Sequence, residues 1–182
     1  MAIAVAGIVL GLGVPGFMEF QRTNAMAAAT NDLVTGTLLA RSEAVKRQQP
    51  VTLCTSPDPA AETPVCGPAS LGGFVVFVDE DADAAVASPE DVLLRRPAPG
   101  GTIRLWSDAA HLTYARNGSP RDAAGGEASA TRFLLCDDRG NRPASGGSAA
   151  RVVVIDAAGR GMMRQAIDVV ATAAAALGAD CE

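Results

Sequence analysis

Four carboxylates in "DEDADAAVASPE" carry the spacing of cation ligands. Asp79, Asp81, Asp83 and Glu90 fall at positions 1, 3, 5 and 12 of a calcium-loop template. Position 6, where that loop turns sharply on glycine, is Ala84, and "GFVVFV" before it is a strand pattern rather than a helix. A solvated acidic β-turn explains the same residues, so no metal is assigned and the four stay cation candidates only. His111 is the one candidate general base of its type, in the strand-like "HLTYA" with no Ser or Cys motif nearby. The chain therefore reads as non-enzymatic, with no cofactor and no small-molecule substrate.

The cysteines are Cys54, Cys66, Cys136 and Cys181, without a CxxC, and a single histidine cannot complete a zinc set. An even count in loop-like surroundings predicts two disulfides and an oxidising compartment. Three pairings are possible. The favoured one joins Cys54 to Cys66 across a short Pro-rich loop and Cys136 to Cys181 at the C-terminus.

Two kinds of element must position these residues. Met1 to Met18 carry no charge and as a helix would span roughly 27 Å, close to the hydrocarbon thickness of a bilayer. The stretch lacks the basic region of a cleaved signal peptide. Gly11, Gly13, Pro15 and Gly16 interrupt it. Pro15 removes a helical hydrogen bond and the glycines ease backbone changes, which predicts a hinge. An amphipathic helix is predicted to continue over 19–49, with Ala27, Asn31, Val34, Leu38 and Val45 at helical spacing. Pro50 stops it.

From residue 50 to 182 the pattern becomes β. The runs 51–54, 73–79, 91–96, 102–106, 111–115, 131–136 and 151–156 are short strands separated by Gly/Pro/Asp-rich turns. The tail from Gln165 to Asp180 fits a short helix or a strand and loop. One long helix before many short strands predicts an α+β fold, the helix packed on antiparallel sheet. The 182 residues suffice for one such domain, and a net charge of −5 with a pI near 4.9 argues against a generic nucleic-acid binder.

Three stretches carry a family resemblance: "LARSEAVKR" followed by a proline and "VTLC", then "GFVVFVDEDAD", then "FLLCDDRGNR" with "ARVVVIDAAGRG". They resemble the GspH/FimT family of type IV minor pilins and type II secretion pseudopilins. The resemblance implies a pilin-like fold, an inner-membrane helix at 1–18, a periplasmic head, and other pilins as partners through packing of N-terminal helices in a pilus or pseudopilus. Family members begin with a basic leader, a Gly-Phe junction and a Thr-Leu-x-Glu stretch. The codons upstream of Met1 are expected to encode that stretch. FimT-like DNA receptors of natural transformation share a Gly-Arg-x-Arg motif after the last long strand. Here Gly159 and Arg160 match it, while the second arginine, Arg164, lies two residues beyond its place. A DNA-uptake receptor using both arginines is therefore the alternative function, and a membrane-anchored periplasmic enzyme ranks last.

Overall fold

The computed structural model describes residues 2–67, 73–97, 102–122, 125–128, 130–144 and 146–181, with only the backbone of 2–15. Helix α1 runs over Ala2–Arg47 and its backbone stays helical through Pro15. Lys46 and Arg47 occupy its last turn, where the helix dipole favours cations, and both reach back to Glu43 at 3.3 and 2.6 Å. Gln48 turns left-handed at φ 56° just before Pro50, and the helix ends there.

The buried stripe of α1 differs from the predicted one. Met26, Ala29, Leu33, Ala40 and Ala44 are buried, with Thr30 and Thr37. Ala27, Asn31, Leu38 and Val45 face outward, and Val34 is only half-buried. An alanine-rich helix offers two stripes of similar hydropathy. The one carrying Ala29, Gly36, Ala40 and Ala44 lets the helix axis approach the sheets closely, with Met26 and Leu33 filling the core between them, and close packing decides between the stripes. Gly36 marks the closest approach: a Cβ there would stand 2.6 Å from the Phe74 ring and 3.4 Å from Leu53.

Two antiparallel sheets receive that stripe. In the first, β1 (Val51–Thr55) lies between β2 (Gly73–Val78) and β5 (Leu112–Tyr114). Its edges are β3 (Val92–Pro97) and the short β6 (Pro120–Arg121). In the second, β7 (Ala130–Cys136) pairs with β4 (Arg104–Ser107) and β10 (Arg151–Asp156), and β11 (Gly161–Arg164) closes the edge. β8 (Pro143–Ala144) and β9 (Gly147–Ser148) form a small ribbon. Leu53, Phe74, Val76 and Tyr114 from the first sheet meet Phe133, Leu135, Val153 and Ile155 from the second beneath α1.

Strand alternation sends the neighbouring residues outward. Leu134, Cys136 and Val152 pack under α2 (Ile167–Leu177), the tail whose state the sequence left open. Gly178 ends α2 in the left-handed region, the usual glycine cap. On the other sheet Cys54, Val75 and Phe77 are covered by Cys66 and its loop together with Val86 and Val92. The disulfides join Cys54 to Cys66 and Cys136 to Cys181. Arg95 of β3 fastens the first of these loops, donating to the carbonyls of Pro59, Ala61 and Glu62.

Candidate functional site

The acidic turn follows β2. Asp79 is 2% exposed, and burial pushes its carboxyl up from the ordinary aspartate value against the pull of its hydrogen bonds. Thr52 Oγ1 donates to Asp79 Oδ2 at 2.6 Å, and the amides of Asp83 and Ala84 donate to the same carboxylate at 3.1 Å. Ala84 has φ 60° and Ala82 φ 57°. The chain thus makes the left-handed turn for which the calcium template uses glycine. Carboxylate oxygens of Asp79, Asp81 and Asp83 lie within 4.8 Å of one another. Glu90 stands apart from them, in a 3-10 turn (Pro89–Asp91) capped by Ser88. Asp79 is thus the organiser of its own turn, its oxygens already engaged by the protein.

The two arginines of the DNA alternative do not share a loop. Arg160 closes the β10–β11 turn, with Nε and Nη2 donating to Asp156 Oδ2 at 3.0 and 2.9 Å, and its amide to Oδ1. These bonds, the amide's first, hold the Asp156 carboxyl below the usual aspartate value. Arg164 is the last residue of β11, paired opposite Val152. Arg160 is paired within its own hairpin and Arg164 stands at the far end of β11, so the two guanidiniums sit on different parts of the hairpin. His111 is half-buried beside β5 and lines a small cavity of about 140 Å³ with Thr113, Arg121 and Asp122.

The most extensive candidate surface is α1 itself. Phe17 (60% exposed), Phe20 (62%) and Leu38 (55%) lie on the side turned away from the sheets, with Ala27 and Asn31 between them. Thr35, Leu38, Leu39, Ser42 and Val45 line a shallow groove on the same helix. Toward its N-terminus the helix is held by polar contacts. Arg139, in the turn after β7, donates through Nη1 to Glu19 Oε1 at 2.6 Å and Thr23 Oγ1 at 3.1 Å. Its Nε and Nη2 grip Asp137 at 2.6 to 3.1 Å. Asp137 first, and Glu19 after it, hold the guanidinium above the usual arginine value. Arg22 adds a 3.2 Å ion pair to Asp138.

The model of the GspH family, described as type II transport protein GspH, matches residues 29–159. The chain belongs to the GspH family. The matched stretch runs from the middle of α1 to the β10–β11 turn, so it includes the core stripe, both sheets and the acidic turn. Comparison with curated proteins gives no match. Among solved structures, this GspH-family chain is similar to the type IV minor pilin FimU of Pseudomonas aeruginosa strain PAO1, in two crystal forms. The first is 20% identical, with a TM-score of 0.54 over 80% of this chain and 92% of FimU. The second is 19% identical, with a TM-score of 0.50 over 76% and 91%. At such identity the likeness concerns the fold, which is the pilin fold expected from the sequence: a long N-terminal helix on antiparallel sheets.

Sequence reading missed the Arg139 clasp in this GspH-family head. Its signals were present, in the lone Glu19 closing an uncharged run and the "DDRG" following Cys136, but 120 residues separate the partners. Among the described residues, no helix is long and apolar enough to cross a membrane. The predicted membrane stretch 1–18 falls mostly on residues whose side chains lie outside the described set.

Proposed function

We propose that this chain is a minor structural subunit of a type IV pilus-like filament, the class to which type II secretion pseudopili belong. Residues 1–18 hold it in the inner membrane, 19–49 carry the helix into the head, and 50–182 form the periplasmic head. Assembly proceeds by packing N-terminal helices, where Gly and Ala permit close approach in an apolar bundle. Gly11, Gly13, Pro15 and Gly16 act as the hinge when the helix leaves the bilayer for the filament.

One observation carries this proposal: α1 buries the stripe from Met26 to Ala44 in the head and turns Phe17, Phe20 and Leu38 outward. Large apolar side chains exposed on one helix face mark an interaction surface. Family membership supports the same assignment. The test is deletion of the gene in its host, followed by complementation, with pilus number and secreted protein both scored. Loss of either, restored by the intact gene, is the expected result and tells pilus from secretion system. Unchanged filaments and unchanged secretion would contradict the proposal.

A further inference from the structure

We propose that the Glu19–Arg139 contact is a reversible latch that sets where the rigid part of α1 begins. Among the described residues, the hydrophobic core holds the helix from Met26 onward, apart from partial packing by Ala25. Glu19 lies seven residues earlier, about 10 Å along the axis. Closed, the latch makes residues 19–25 part of the head. Open, with the exposed Arg22–Asp138 pair and the Thr23 hydrogen bond released alongside it, it adds nearly two turns to the segment free to bend.

The two acids on Arg139 differ in a way that suits release. Asp137 is 3% exposed at its side chain and binds the guanidinium through both oxygens, whereas Glu19 is 54% exposed and offers one oxygen. Arg139 itself is 9% exposed at its side chain. Stripping a buried cation of its sole partner is strongly destabilising. Here Glu19 can leave for water while Asp137 keeps the charge paired. The clasp loop is fixed independently, because Cys136 beside it is bonded to Cys181, and the Asn141 amide donates to the Cys181 carbonyl at 3.0 Å. The arginine therefore waits in place for the helix to return.

Amide hydrogen exchange on the full chain in detergent micelles tests the latch, comparing the native protein with Glu19→Gln, Glu19→Asp and Asp137→Asn. Glu19→Gln should speed exchange of amides 20–25 about fivefold, leave β7 and β10 unchanged, and reduce the salt sensitivity expected of 20–25 in the native chain, the Arg22–Asp138 pair keeping the remainder. Glu19→Asp should restore part of the protection. Asp137→Asn should instead disturb the 137–142 loop. Unaltered exchange at 20–25 in Glu19→Gln would overturn the proposal. So would equal loss of protection across β7 and β10, which marks a structural brace.

Discussion

Gly36 shows how a single missing methyl sets the distance between helix and sheet. A Cβ there would come within 2.6 Å of the buried Phe74 ring. Alanine gains up to about 1 kcal/mol of helix propensity, but overpacking a close-packed core costs about 1 to 3 kcal/mol. Gly36→Ala should therefore destabilise the head by about 1 kcal/mol in urea unfolding, and a more stable variant would contradict this packing. Tyr114 gives a second residue-scale test. Burial pushes its hydroxyl up to about 12 from 10.0, and the hydroxyl donates to the Gly159 carbonyl at 3.3 Å. Between those values the folded chain keeps a proton that the unfolded chain has lost. The stabilisation is thus complete below the unfolded pKa and is lost as pH rises through the folded one. Tyr114 is the only tyrosine, so phenolate absorbance reports on it alone. The folded chain should show little phenolate near pH 10, and half-ionisation there would refute the burial argument. Neither feature was legible in the sequence, because each depends on a partner about forty residues away in the chain.

At the scale of elements, the seven main strands were legible as alternating or continuous apolar runs between Gly/Pro/Asp turns. The short β6, β8, β9 and β11 were not. They are two to four residues long and take their conformation from a neighbour rather than from their own pattern. The stripe of α1 was misplaced by about one residue for a related reason: bulk near the sheet, not hydropathy, selected the buried face. The disulfides make a graded prediction. Cys54–Cys66 spans 12 residues and Cys136–Cys181 spans 45, for which loop entropy gives about 3 and about 4 kcal/mol. Serine pairs at the two sites should lower the urea midpoint in that order. A larger loss at Cys54–Cys66 would show that loop entropy is not the leading effect there. Arg95 makes a companion case: Arg95→Ala should speed amide exchange in the Cys54–Cys66 loop while β7 and β10 stay protected.

For the whole molecule, fold class and family were readable early, since a helix followed by short strands admits few layered arrangements and "LARSEAVKR" with "VTLC" narrows them to one. The arginine alternative finds no support at this scale. Adjacency in sequence brought Arg160 and Arg164 together, while the hairpin gave one to Asp156 and set the other at the end of a strand. What the molecule offers instead is a helix with one face in the head and one face free. The most direct measurement is a cross-link from that free face. All the cysteines are disulfide-bonded among the described residues, so Phe20→Cys adds a single reactive thiol on the outward side of α1. Filaments sheared from host cells and treated with a thiol-to-amine cross-linker should yield this chain joined to a second filament subunit. Absence of the chain from the filament fraction, with no cross-linked species in the cell, would contradict its assignment as a filament subunit.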